Sequence, residues 1–257
     1  MTKRQVVIPP DVVATLLDAA GPELVLVGGQ SLAVWMDRYG VSMPEGFEYV
    51  SKDVDFLAAS AADRESVRRL AKALGGHSVF PLQRAALTSL VGQAVKDVAE
   101  DEVFNVDVLH KMWGAKDDVR ARSLVVGEAP HAYRVLHPLD VLKSRLDNLY
   151  GLKEKQNELG MAQLRAAIEV AQGFQREAAA VEKVARAKRP TTLRYVAFIE
   201  KLATDDAGKK VAARYGIHVA DAVEPAAVPT KEFREKRLPQ LGKLMSAARR
   251  RELSLPA

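Results

Sequence analysis

The stretch Glu23-Leu24-Val25-Leu26-Val27-Gly28-Gly29-Gln30-Ser31-Leu32-Ala33 decides the fold. Its apolar run is compact and stops at two glycines, which reads as a buried strand ending in a tight turn. From Ser31 to Tyr39 the apolar residues Leu32, Val34, Trp35, Met36 and Tyr39 suit a helix packed back onto that strand. A helix that opens at a Gly-Gly turn presents unbonded N–H groups and a positive dipole end, a ready cradle for phosphate. The same turn also has a purely conformational explanation, glycine supplying dihedrals that other residues avoid. Neither a P-loop nor a Gly-x-Gly-x-x-Gly fingerprint is present, which disfavours those nucleotide folds.

Working outward, Asp53-Val54-Asp55-Phe56-Leu57 alternates polar and apolar residues as a half-buried strand does, so both aspartates project from one face. Residues 61–74 form a helix with Val67, Leu70, Ala71 and Leu74 on one side, closed by Gly75-Gly76. Glu102 to Leu109 is a second alternating strand, with Asp107 placed to share the face of the first pair. Residues 122–126 and 132–136 are strand candidates for a closing hairpin, and a short apolar strand is expected after Gln5. Beyond His137-Pro138 the pattern turns helical: Leu139, Leu142, Leu146 and Leu149 recur at helical spacing, and helices are expected near 158–172, 174–188, 191–203, 206–215 and 231–252. An α+β half, residues 1–137, thus precedes an all-helical half, residues 138–257.

The charge divides at the same place. Residues 1–137 carry 15 Lys and Arg against 18 Asp and Glu, a net of −3; residues 138–257 carry 23 against 15, a net of +8. Such asymmetry suits one part that holds cations and another that meets a polyanion, although a solvated helical surface has the same composition. With no cysteine in the 257 residues, disulfides, thiolate zinc sites and a cysteine nucleophile are excluded. No apolar run approaches the roughly 18 residues of a membrane span, and the first residues lack a signal-peptide core. A cytoplasmic protein that does not enter the membrane is the expectation.

Two carboxylates projecting together from one strand repel each other unless a cation or a proton joins them. Oxygen ligands on a sheet favour Mg²⁺, and three carboxylates are enough for two metal ions. The alternative is acidic residues that merely discourage edge pairing. Of the histidines, His77, His110, His131, His137 and His218 lack metal-ligand spacing. Trp35 and Trp113 read as core or pocket-wall residues, and Arg249-Arg250-Arg251 as an RNA contact or a frayed tail.

The order of strand, Gly28-Gly29-Gln30-Ser31, helix, Lys52-Asp53-Val54-Asp55 and Asn105-Val106-Asp107-Val108 resembles the DNA polymerase β-like nucleotidyltransferase superfamily. Within it the chain looks most like the AbiEii group, toxin-type nucleotidyltransferases of type IV toxin–antitoxin modules. The Gly-Gly-x-x-Leu turn, Lys52 before Asp-x-Asp, and Pro138-Leu139-Asp140-Val141-Leu142-Lys143 followed by the Lys-rich turn Lys153-Glu154-Lys155 carry that likeness. It spans roughly residues 20–170. Two departures stand out: Gly40–Val50 looks like an inserted loop, and Gln163 occupies a place where the group often carries an Asp.

The resemblance implies a nucleotidyltransferase-fold mixed sheet with flanking helices and a basic helical domain that helps bind nucleotide and acceptor. It implies that Asp53, Asp55 and Asp107 ligate two Mg²⁺ ions (or Mn²⁺), with Asp107 also helping to deprotonate the acceptor hydroxyl. Gly28, Gly29 and Ser31 would hold the β- and γ-phosphates of an NTP, Lys143 would meet the triphosphate or leaving pyrophosphate, and Lys52, Lys153, Lys155 and Arg145 would add lesser contacts. The implied reaction is transfer of NMP to RNA, with a tRNA 3′ end as the expected acceptor, pyrophosphate released, and a cognate antitoxin as partner. Transfer to a protein hydroxyl or a small molecule, and a catalytically silent binding module, are the alternatives.

Overall fold

The computed structural model describes residues 3–47, 50–81, 89–114, 118–184, 191–228 and 230–256. Two compact units divide the chain: Met1–Val34 with Glu45–Val141, and Trp35–Pro44 with Leu142–Ala257. The sequence division at 137/138 falls a few residues before the last crossing, between Val141 and Leu142. It does not foresee that residues 35–44 belong with the C-terminal unit.

The first unit is built on a mixed sheet. In chain order its strands are β1 (Arg4–Gln5), β2 (Val25–Val27), β3 (Val54–Leu57), β4 (His77–Val79), β5 (Leu90–Asp97), β6 (Glu102–Leu109), β7 (Leu124–Val126) and β8 (Tyr133–Val135). Across the sheet they run β4-β5-β6-β3-β2-β8-β7, with β1 added parallel to the start of β6. β3 is parallel to β6 and antiparallel to β2, so the first strand of the deciding stretch lies beside the Asp-x-Asp strand. Alternation along β3 and β6 sends Val54, Phe56, Val106 and Val108, all at most 1% exposed, to one face. Asp55, Asn105 and Asp107 go to the other. Helices α1 (Pro10–Ala20) and α3 (Arg64–Leu74) pack against the sheet and each other. α3 is capped at both ends, Asp63 accepting from the Ser66 N–H and Gly75 closing it in the left-handed region.

Several expectations shift. α2 runs Gly28–Tyr39, so the glycines are its first turn rather than a loop before it. The short N-terminal strand is Arg4–Gln5, ahead of the apolar run. The expected hairpin forms between β7 and β8, but Val119–Arg122 is a short helix, α4. β4 and β5 were not evident from local pattern.

In the second unit, α5 (Pro138–Gly151, begun in the first unit) and α6 (Glu158–Val184) are followed by α7 (Thr192–Thr204) and α8 (Asp206–Tyr215). The two helices expected at 158–172 and 174–188 are one helix as far as Val184; residues 185–188 lie outside the described residues. Gly173 does not break it, because the missing side chain is where Tyr39 packs: a Cβ there would sit 2.7 Å from the Tyr39 ring. The helix expected over 231–252 is interrupted instead. A π-helical turn, Phe233–Arg237, precedes α9 (Leu238–Gly242) and α10 (Ala247–Glu252). Pro239, lacking an N–H, cannot continue regular α-helical bonding back into the preceding turn. Arg249 is not part of a frayed tail: it is 8% exposed, donates to the Val223 carbonyl at 2.9 Å and pairs with Glu252 at 2.6 Å.

One half-buried histidine is expected to make the fold sensitive to acid. His137, just before α5, accepts the Leu139 N–H at Nδ1 (3.1 Å). Burial pushes its pKa down from 6.5 to about 4, opposed by Asp140 and assisted by Arg122. Because the unfolded chain takes up this proton first, the stabilisation is complete above pH 6.5 and is lost as pH falls to 4. The loss amounts to about 3 kcal/mol. Urea unfolding at pH 7 and pH 4 should show that share of acid destabilisation vanish in His137→Asn, which keeps an acceptor at that position.

Candidate metal centre

The strand register alone builds a row of functional groups across the sheet. Gln93 on β5 stands opposite Asp107 on β6, Asp107 beside Asp55 on β3, and Asp55 opposite Val27 at the end of β2. Residues in register share a face, so these side chains converge although they come from four separate segments. Asp53 joins them from the bend just before β3, not from the strand itself, which begins at Val54. Each of Asp53, Asp55 and Asp107 offers a carboxylate oxygen within 4.8 Å of the other two, and all three are half-buried.

Gly28 closes the site from above. The residue after Val27 turns over Asp55 with φ +65°, and a Cβ there would lie 1.9 Å from Asp55 Oδ2. Gly29 meets its neighbour as closely, since a Cβ would sit 2.4 Å from that of Ser51. The glycines therefore do more than satisfy a turn: they let the first turn of α2 lie directly against the carboxylates. This brings the helix's positive end to the place where negative charge collects.

The carboxylates are held by neutral donors. Ser51 Oγ donates to Asp53 Oδ1 at 2.6 Å; Gln93 Nε2 and Asn105 Nδ2 both donate to Asp107 Oδ1, at 2.8 and 2.7 Å. These bonds fix the carboxylates without neutralising them, as second-layer partners of metal ligands do. Ser51, Gln93 and Asn105 were not singled out from the sequence. Asn105 had a signal, its period-two spacing from Asp107, whereas Gln93 reaches the site only through a non-local pairing.

Each of the other expected contributors has its own surroundings. Ser31 is fully buried and its hydroxyl donates to the Gly28 carbonyl at 2.8 Å, so that hydrogen holds the turn. Lys52 stands exposed beside Asp53. Lys143 belongs to the second unit, where it pairs with Asp147, and Lys153 and Lys155 stand exposed on a 3₁₀ turn of that unit. Arg145, 6% exposed, donates to Gln163, so Gln163 serves a buried polar contact. Of the inserted loop at Gly40–Val50, Glu48 and Tyr49 lie outside the described residues. Trp35 is core, at 2% exposure, but Trp113 is not: it is 62% exposed.

The donor set fits a hard divalent cation. Three oxygen ligands of one charge type, close together, suit Mg²⁺ or Mn²⁺ and not a soft metal. No family model matches the chain, and no curated protein matches its sequence. Among the described residues no helix is long and apolar enough to cross a membrane.

Proposed function

We propose that the chain is a metal-dependent nucleotidyltransferase of the AbiEii type that transfers NMP from an NTP to an RNA acceptor. A tRNA 3′ end is the acceptor we favour, with the protein acting as a toxin whose cognate antitoxin restrains it. The observation that carries the reading is the meeting of Asp53, Asp55 and Asp107 within 4.8 Å beneath a helix start stripped of side chains at Gly28 and Gly29. A cation alone would need the carboxylates; a phosphate alone would need the helix start. Their juxtaposition suits a ligand that is both, a metal-complexed triphosphate.

Asp53, Asp55 and Asp107 would hold the Mg²⁺, which when bound supplies charge neutralisation at the phosphates. The N–H groups of the first turn of α2 would orient the β- and γ-phosphates. Asp107 Oδ1 is saturated by Gln93 and Asn105, which leaves Oδ2 to accept the proton of the acceptor hydroxyl. The acceptor oxygen then bonds to the α-phosphorus, the bond from that phosphorus to the bridging oxygen breaks, and pyrophosphate leaves. Positioning and electrostatics supply most of the rate in such a reaction. No step is assigned to Ser31, Lys52, Lys143, Lys153 or Lys155.

Purified protein incubated with Mg²⁺, each NTP labelled at the α-phosphate and total bacterial RNA should move label into RNA. Label on protein or on a small molecule would redirect the reading to those acceptors. Nucleotide binding without any transfer would make the chain a silent module.

A further inference from the structure

A second concave site lies at the carboxyl ends of the two aspartate strands. It is a pocket of about 560 Å³ between the chain leaving β3 (Leu57–Ala61) and the chain leaving β6 (His110–Met112), closed by Val119 and Arg120. Strand spacing puts its near wall roughly 7 Å past Asp55 and roughly 10 Å past Asp107. Its character is opposite to that of the aspartate site. Lys111, Arg120 and His110 line it, and among the described residues that line it none is acidic. Arg120 is held by a backbone carbonyl, that of Leu57 at 3.0 Å. Among the described residues neither Arg120 nor Lys111 forms a salt bridge. In a half of the chain with net charge −3, this is a local concentration of positive charge.

Next in the chain after the wall residue Met112 stands Trp113, whose indole is 62% exposed. An exposed indole one residue along the chain from a pocket lined by Lys111 and Arg120 suits single-stranded nucleic acid, in which cations take the phosphates and the ring stacks a base. We infer that this pocket and Trp113 form the subsite for an unpaired segment of the RNA acceptor, Lys111 and Arg120 meeting backbone phosphate and Trp113 stacking a base. This deepens the transferase reading, on which it rests for the word acceptor, by placing the acceptor strand in the catalytic unit itself. An exposed tryptophan also suits a protein partner, but the two cations that line the pocket, Lys111 and Arg120, favour a phosphate-bearing chain.

Binding is testable without catalysis, because Trp35 and Trp113 are the chain's two tryptophans and Trp35 is buried. An oligoadenylate of about 8 nucleotides, added without metal or NTP, should quench the exposed tryptophan emission, and Trp113→Phe should remove the quenchable component. Anisotropy of the end-labelled oligonucleotide should show Trp113→Ala weakening binding about 10-fold. Lys111→Ala should lower the slope of log affinity against log salt by about 0.7. Absence of quenching, unchanged affinity in both alanine variants, or equal quenching by polyglutamate, which has charge but no bases, overturns the inference. Label transfer to RNA without Trp113 quenching would overturn this site alone; quenching without transfer to any acceptor would overturn the transferase reading alone.

Discussion

Gly28→Ala is expected to reduce nucleotidyl transfer by about 100-fold or more while leaving a folded protein. Two costs combine. At φ +65° an alanine pays about 1–2 kcal/mol for the left-handed backbone. Its Cβ, 1.9 Å from Asp55 Oδ2, also forces the carboxylate or the helix start to move. A displacement of about 1 Å at a reacting centre costs about 10²-fold in rate. Gly40→Ala separates the two costs. Gly40 has nearly the same φ, +64°, but open space where its Cβ would go, so it should lose stability and keep activity. Steady-state rates and urea midpoints of both variants check this. Equal activity in Gly28→Ala and the parent chain would mean that the contact with Asp55 has no part in the chemistry.

Asp55→Asn carries the other large effect. The substitution keeps shape and removes one of three converging negative charges. Without metal the variant should be at least as stable as the parent, since repulsion among the carboxylates is relieved. With Mn²⁺ or Mg²⁺ the order should reverse. A ligand at about 100 times its dissociation constant stabilises the native state by about 2.7 kcal/mol, and the variant should forgo most of that gain. Loss of charge neutralisation worth several kcal/mol should lower transfer by about 10³-fold. Thermal unfolding of both chains with and without metal, beside the label-transfer assay, reads all three effects. A variant destabilised without metal would mark Asp55 as a structural residue.

What the sequence made legible was whatever depends on local period. The strand before Gly28-Gly29, the alternation at Asp53–Leu57 and Glu102–Leu109, and the helical style beyond Pro138 are all patterns within a few residues. They were enough to bring Asp55 and Asp107 to one face, because alternation fixes the face even when the pairing is unknown; Asp53 reaches the site from the bend before β3, which alternation does not describe. What escaped depends on partners distant in sequence. Gln93 holds Asp107 only because β5 pairs with β6 in that register. Gly173 can lie inside a 27-residue helix only because Tyr39 fills the space beside it. The exposure of Trp113 was misjudged for a related reason: residue type favours the core, and only the surrounding chain shows that this indole has no core to enter. Ser31 illustrates a finer limit. Its position by the glycines is as expected, but the direction of its hydroxyl, toward Gly28, is a matter of geometry that spacing does not carry.

The proposed transferase requires that Asp53, Asp55 and Asp107 form one cation site bound up with a triphosphate site at the start of α2. Titration of Mn²⁺ into the intact chain, followed by electron paramagnetic resonance with and without a non-hydrolysable NTP analogue, tests it most directly. Mn²⁺ is expected to bind the intact chain, to bind more tightly when the analogue is present, and not to bind Asp55→Asn. Mn²⁺ binding that is absent, or that is the same in Asp55→Asn as in the intact chain, would contradict it.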